Sequence, residues 1–265
     1  MKLARPVAAW WHSGTMPHED LAELVARATD AAAEPAGGHA RERALAALIP
    51  ALTRSAKESG FRAVAAGRWL VELVIELAPR VPVRDAAALR KQHPGLTDIE
   101  IAEKLIRTAT KATAALGAAA GGLAAVEFLS PPALLAAPIQ LAAEMLTVTA
   151  VELKLVAELH EVLGHPAQGS LTERGGMYLM AWVRRRAVST QVGVVGLGSV
   201  LGVAGKRELR SHLLRRLGRS TTSLAPFLAG AVAGAEVNRR ATKSLGELLL
   251  TELRARADER WFRRL

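Results

Sequence analysis

Four long stretches of this sequence carry no charged residue, and they constrain the fold more than any other feature. They cover residues 112–126, 128–143, 187–205 and 220–235. A helix needs about 20 consecutive apolar residues to span the hydrocarbon of a bilayer. Acidic residues end three of these stretches, and prolines, glycines or polar side chains interrupt them, so a conventional spanning helix is disfavoured. The sequence instead predicts that they pack against one another inside a helical body.

The remaining apolar residues recur at steps of three and four, and no segment shows the sustained alternation of a half-buried strand. Two capping boxes, Thr97 with Glu100 and Ser170 with Glu173, predict helix starts. Between residues 133 and 163 the polar side chains form one narrow stripe, which is typical of a central helix surrounded on most sides. We therefore predict an all-α, multi-helix bundle whose closely packed central helices are rich in glycine and alanine.

A turn cluster at His93, Pro94 and Gly95 separates two groups of predicted helices. We expect a helical N-terminal extension, residues 1–95, followed by the main helical domain, residues 96–265. The first 17 residues lack the uninterrupted apolar core of a signal peptide. The chain also has no cysteine, so neither a disulfide nor a thiolate site is available. We expect a cytoplasmic protein held together by packing alone.

Three glycine pairs share a spacing of four residues: Gly117 and Gly121, Gly198 and Gly202, and Gly230 and Gly234. Residues four apart lie on the same helix face, so each pair leaves a groove that another backbone can approach. A glycine inside a helix costs up to about 1 kcal/mol relative to alanine. Tight internal crossings would offset that cost, although the same pattern also favours helix association in membranes.

The excess of positive charge is confined to the last third of the chain. Residues 171–265 contain 18 Lys and Arg against 7 Asp and Glu, whereas residues 1–170 contain 17 against 18. Such asymmetry suits anionic lipid or nucleic acid, and plain solvated surface equally. We identify seven candidate membrane-surface or anion-binding residues: Arg184, Arg185, Arg186, Arg256, Arg260, Trp261 and Arg264.

The C-terminal helix adds an apolar stripe, which repeats every four residues at Leu245, Leu249, Leu253, Ala257 and Trp261. Arginines run beside this stripe. Basic residues flanking an apolar stripe with aromatic side chains are typical of a helix lying on an anionic membrane. The stripe fits packing onto the bundle equally well, and the sequence leaves both interpretations open.

Three glutamates interrupt otherwise uncharged runs: Glu127, Glu152 and Glu236. A buried carboxylate needs partners or takes up a proton. Arg239 and Arg240 follow Glu236 by about one helical turn, so a local pair is available. We expect a buried polar network of structural role, and we expect Glu236→Ala to lower stability. Its candidate members are Glu127, Glu152, Glu236, Asn238, Arg239 and Arg240.

No arrangement of residues indicates catalysis, a cofactor or a metal ion. Cysteine is absent, the histidines are scattered, and the sequence has neither a nucleophile elbow nor a phosphate-binding loop. Residues 96–113 lack the turn glycine of a helix-turn-helix, so nucleic-acid binding is disfavoured. An enzyme would need a pocket where several polar side chains converge, namely Glu127, Glu152, Glu236, His160 and Asn238.

Two blocks of the sequence, residues 109–164 and 206–249, resemble the EcsC protein family. The first is an Ala/Gly-rich helix, a proline turn and a long helix. The second carries, in the family's order, Pro226, Gly230, Gly234, Asn238, Thr242 and Gly246. Family members often place the acidic or amide residue directly after the glycines, whereas three residues intervene here. The resemblance spans about residues 96–250 and implies a bacterial, all-helical, membrane-proximal protein without an agreed activity.

Charge, patterning and resemblance together predict a non-enzymatic bacterial protein. We expect it to attach peripherally to the inner face of the cell membrane, where anionic lipid or a membrane protein would be its partner. A soluble scaffold that binds other proteins is the alternative. An enzyme of unknown type and a nucleic-acid binder are less favoured.

Overall fold

The computed structural model describes residues 17–33, 38–65, 67–127, 137–187, 207, 210–211 and 228–262. Regular structure in these ranges is helical and includes no strand, which confirms the predicted all-α bundle. The N-terminal helices are α1 (Pro17–Ala33), α2 (Gly38–Ser59), α3 (Phe61–Ala65), α4 (Arg68–Leu77) and α5 (Ala86–Gln92), with a 3-10 turn at Ala78–Arg80. The main helices are α6 (Asp98–Glu127), α7 (Ala137–Val162), α8 (Leu171–Ala187) and α9 (Leu228–Phe262).

Helix α7 is the central helix of the bundle, as its narrow polar stripe predicts. Helices α1, α2, α4, α5, α6, α8 and α9 all contact it. Three of its apolar side chains, those of Val148, Val156 and Leu159, are completely buried. A helix that is apolar on most faces removes the most surface from water when neighbours enclose it.

The N-terminal helices belong to the same hydrophobic core as the main helices. Leu21 of α1 and Leu48 of α2 are buried in one cluster with Leu116 of α6 and Leu159 of α7. The residues before the His93 turn therefore pack directly on the helices that follow it.

Both predicted capping boxes are confirmed, and they fix where α6 and α8 begin. Glu100 Oε2 accepts hydrogen bonds from the backbone N–H and the hydroxyl of Thr97, at 2.7 and 2.8 Å. Ser170 and Glu173 repeat the arrangement at the start of α8, with both distances at 2.8 Å. The Thr97 donors, the backbone N–H first, hold the pKa of Glu100 below its ordinary value. These contacts satisfy amide groups that a helix start leaves without partners.

Helices α6 and α9 run antiparallel and cross at very short distance. Gly246 of α9 packs on Ile106, and Gly234 packs on Gly117 eleven residues further along α6. A Cβ added at Gly117 would lie 2.8 Å from the carbonyl carbon of Gly234. The predicted tight crossing is thus present at Gly117 and Gly234, whereas Gly198 and Gly202 lie outside the described residues.

Helices α7 and α8 form an antiparallel hairpin. Near its closed end, Arg174 and Tyr178 of α8 donate to Glu161 of α7. Further along, Trp182 donates to Glu152. Helix α8 therefore runs antiparallel to α7. The last turns of α6 and α8 and the first turns of α7 and α9 lie at the same end of the bundle.

Candidate functional site

Glu152 lies fully buried where four helices meet. Its carboxylate accepts hydrogen bonds from Trp182 Nε1 at 2.8 Å and from Thr242 Oγ1 at 2.7 Å, and it pairs with the guanidinium of Arg186. Thr113 Oγ1 donates to Thr242 Oγ1 at 2.9 Å. The network therefore connects α6, α7, α8 and α9, and the arginine balances the charge of the carboxylate.

The arginine triplet at the end of α8 does not form a surface patch. The side chain of Arg186 is 12% exposed and also donates to the carbonyl of Ala241 at 3.0 Å. Arg185 is 11% exposed and pairs with Glu252 of α9. Arg184 alone of the three is exposed. The membrane-surface prediction is wrong for Arg185 and Arg186, because consecutive helical residues point about 100° apart and carboxylates occupy the inner side.

Asn238 is buried at the crossing of α6 and α9, as the sequence predicts. Its side-chain amide donates to Glu144 Oε1 of α7 at 2.9 Å. A Cβ at Gly117 would come within 2.8 Å of the same amide nitrogen. The missing side chain at Gly117 is therefore what makes room for this hydrogen bond.

Two further glutamates of α7 are buried and paired. Glu158 accepts from Arg84 Nε and Nη2 at 2.7 and 2.6 Å, and these hydrogen bonds raise the pKa of Arg84. Glu161 accepts from Arg174 Nη2 at 2.9 Å and from the hydroxyl of Tyr178 at 3.0 Å. Desolvation raises the pKa of Tyr178. These two glutamates of the α7 polar stripe are thus turned inward and joined to basic or hydroxyl groups of neighbouring segments.

Glu236 pairs with Arg239 and Arg240 but is not part of the buried network. Its carboxylate accepts from Arg239 Nε at 2.6 Å and from Arg240 Nε at 2.5 Å. These two donors, Arg239 first, lower the pKa of Glu236 to about 2. The three side chains are 35%, 45% and 76% exposed, so their predicted burial is wrong. They lie on the solvent side of α9, opposite Asn238, and the side chain of Glu127 lies outside the described residues.

The apolar stripe of α9 packs onto the bundle. Leu245, Leu249 and Leu253 are 3%, 0% and 0% exposed, so the membrane-facing interpretation is wrong for these three residues. Arg256 is exposed and pairs with Glu252. The side chains of Ala257, Arg260 and Trp261, and all of Arg264, lie outside the described residues.

Position separates the candidate membrane residues into two groups. The carbonyl of Leu253 lies 3.1 Å from His165 Nε2, just after the end of α7, which places Arg256 at that end of the bundle. Arg184 lies at the other end, where α8 finishes and α9 begins. One flat surface cannot contact both groups unless α9 lies along it.

Glu152, Glu236 and His160, which were considered for an enzyme pocket, do not converge. Glu152 lies inside the four-helix network, Glu236 faces solvent, and His160 Nδ1 donates to the carbonyl of Val156 at 2.7 Å. Burial lowers the pKa of His160. No group of three His, Asp or Glu among the described residues is arranged to hold a metal ion. A cavity of about 10 Å³ lies elsewhere, between α1, the 3-10 turn and Ala150, and has room for about one water molecule.

The solvent side of α9 combines exposed cations with exposed apolar residues. The cations Arg239, Arg240 and Lys243 follow one another within two helical turns. Val237 and Leu248 are 57% and 56% exposed on the same helix. None of the helices among the described residues is both long enough and apolar enough to cross a membrane.

Sequence reasoning missed Trp182, Thr113 and Thr242 as members of the network. A signal existed for Thr242, which continues the four-residue steps of Gly234 and Asn238 on one face of α9. Nothing in the local sequence marks Trp182 or Thr113, because their partner lies 30 or more residues away along the chain.

Comparisons with family models, with curated proteins and with solved structures found no match to this chain. The fold and its surfaces define an all-α bundle with an internal ionic network and a basic outer side on α9.

Proposed function

We propose that this protein is a non-enzymatic helical bundle that attaches peripherally to an anionic membrane, at the inner face of a bacterial cell membrane. One observation carries the proposal: exposed cations gather beside the last turn of α8, where Arg186 donates to the carbonyl of Ala241 in α9. Arg184 lies there on α8, and Arg239 and Arg240 lie there on α9. Their shared position lets them face one surface at the same time.

Internal pairing leaves the positive charge on the outside. The buried carboxylates of Glu152, Glu158 and Glu161 each pair with an arginine, so these pairs contribute no net charge. The chain as a whole carries +10. Each Lys or Arg close to an anionic leaflet contributes about 1 kcal/mol of attraction, which decays within the Debye length. A few exposed cations at one end therefore supply reversible binding.

A soluble scaffold is the competing function, and an exposed apolar patch without nearby cations would favour it. On α9 the exposed Val237 and Leu248 instead have Arg240 and Lys243 as neighbours within one or two helical turns. An apolar residue beside cations matches an anionic lipid surface better than it matches an uncharged protein partner.

The EcsC resemblance supports the same proposal. Gly234, Asn238, Thr242 and Gly246, which carry the resemblance in α9, all face α6 or α7. They pack the helices, so the family pattern accounts for the architecture and leaves the solvent side of α9 free for a membrane. We propose membership of that family on this basis.

Co-sedimentation with vesicles tests the proposal. At about 0.1 M salt, the double variant Arg184→Gln/Arg240→Gln should bind vesicles of phosphatidylglycerol and phosphatidylcholine about 30-fold more weakly than the unchanged protein. Two lost cations at about 1 kcal/mol each give that factor. Arg239 remains in this variant as a partner for Glu236.

The matched control is Arg254→Gln/Arg256→Gln, which removes the same charge from exposed positions on the same helix. Arg254 lies 14 residues from Arg240, about 21 Å along α9 and beyond the Debye length at 0.1 M salt. The control should lose less than threefold. No binding of the unchanged protein to anionic vesicles, or a larger loss in the control than in the double variant, would contradict the proposal.

A further inference from the structure

All four charge-free stretches of the sequence begin or end at one end of the bundle. We call this the apolar end and define it by residues 117–126 of α6, 139–143 of α7 and 228–235 of α9. The pairing of Gly117 with Gly234 and of Asn238 with Glu144 places these three helix ends side by side. Sequence separation hides this convergence, since more than 100 residues separate the first range from the last.

The side chains described at the apolar end leave apolar surface exposed. Val232 is 71% exposed, the highest value among the large hydrophobic side chains of α9 that the structure describes. Ala118 is exposed, and Ile139 and Ala120 are half-buried. The free energy falls when the water-exposed parts of such apolar side chains leave water.

Charged side chains begin just below this surface. Going down each helix from the apolar end, the first charged residues are Lys111 on α6, Glu144 on α7 and Glu236 on α9, and Arg184, Arg185 and Arg186 lie close to the end of α8. Glu144 is joined to Asn238, and Glu236 is joined to Arg239 and Arg240. Lys111, Arg184, Arg239 and Arg240 are exposed. Among the residues that the structure describes, the exposed charges around the apolar end are therefore mainly basic.

We propose that the apolar end enters the nonpolar layer of an anionic membrane while the surrounding cations stay among the headgroups. This inference rests on the proposed function. It specifies which part of the protein penetrates the membrane and how the protein is oriented there. From Gly117 to Val126 helix α6 rises about 14 Å, close to the thickness of one hydrocarbon leaflet. The end therefore reaches into one leaflet, whereas the four-helix ionic network stays outside.

Glu127, the last residue of α6, directly follows this end in the sequence. A carboxylate that moves into hydrocarbon must first lose its charge or find a partner. The proposal therefore predicts that Glu127→Gln strengthens penetration, and weaker penetration by this variant would count against it.

Single-cysteine labelling tests the orientation, because the native chain has no cysteine. The variants Val232→Cys and Thr251→Cys each carry an environment-sensitive NBD label at an exposed position of α9. The two positions are 19 residues apart, about 28 Å along the helix. With phosphatidylglycerol-containing vesicles, the label at Val232→Cys should shift its emission to the blue and be quenched by spin-labelled lipid. The label at Thr251→Cys should do neither.

Co-sedimentation of the same labelled proteins separates the possible failures. Binding with a water-exposed label at Val232→Cys would overturn the insertion and leave the proposed function standing. Protection of both labels would show that α9 lies flat, which also overturns it. Absence of binding would remove the proposed function and the inference together.

Discussion

At the residue scale, burial decides what a carboxylate does in this protein. Glu152 and Glu236 interrupt similar apolar runs and both pair with arginine. Glu152 is completely buried and has donors from two other helices, whereas Glu236 is about one-third exposed and has donors from its own helix. Water can replace the partners of Glu236 but cannot reach Glu152.

Glu152→Ala should therefore destabilise the fold by about 3 kcal/mol, because it leaves the nearly buried guanidinium of Arg186 without its carboxylate. Glu236→Ala removes two ion pairs from the surface and should lower stability far less, since solvent screens exposed pairs. Chemical denaturation followed by circular dichroism measures both variants. Equal losses of stability in the two variants would show that the buried network contributes no more to stability than the exposed pairs do.

At the element scale, backbone contact between α6 and α9 sets how closely the helices approach. The glycines on the two sides of this contact are not equivalent. A Cβ at Gly117 would come within 2.8 Å of backbone atoms of Gly234, which cannot move aside like a flexible side chain. A Cβ at Gly234 would meet the carbonyl oxygen of Gly117 at 3.5 Å, an ordinary van der Waals distance.

Gly117→Ala should therefore destabilise the protein by about 1–3 kcal/mol through overpacking and should disturb the Asn238 hydrogen bond. Gly234→Ala should be neutral, or stabilising by up to about 1 kcal/mol, since alanine is the better helix former. Thermal unfolding of the two variants gives the comparison. Destabilisation by Gly234→Ala that matched the effect of Gly117→Ala would show that the crossing is not asymmetric.

At the scale of the whole molecule, the bundle has a buried ionic network in its middle part and an apolar end. Helix α8 is joined to the rest of the bundle by Arg174, Arg185 and Arg186, each of which pairs with a glutamate of α7 or α9. Ionic contacts thus join α8 to α7 and α9, whereas the apolar end has the composition suited to a nonpolar partner. The cations are attracted to anionic lipid over a distance, whereas the apolar surface contributes to membrane binding only at contact. Salt therefore weakens the first contribution far more than the second.

Salt should accordingly release only part of the vesicle-bound protein. At about 1 M salt the Debye length falls to about 3 Å and the electrostatic attraction is largely screened. The apolar contribution persists, because it does not depend on ionic strength in this way. A salt wash after sedimentation measures the retained fraction, and complete release would indicate that only the cations contact the membrane.

The sequence by itself determined the all-α class, the two capping boxes, the central place of α7 and the presence of a tight glycine crossing. Each of these depends on residues within one or two helical turns, or on the balance of apolar and polar faces along one helix. The pairing of Glu236 with Arg239 and Arg240 was predictable for the same reason.

Only the tertiary structure decided which side chains face inward and which ends of the helices meet. Arg185 and Arg186 turn inward because carboxylates of α7 and α9 lie opposite them. Leu245 and Leu249 are covered because α9 packs against α6 and α7 rather than along a membrane. Such contacts join residues that are tens of positions apart, and their free energy depends on how whole helices dock, which no local pattern of residues encodes.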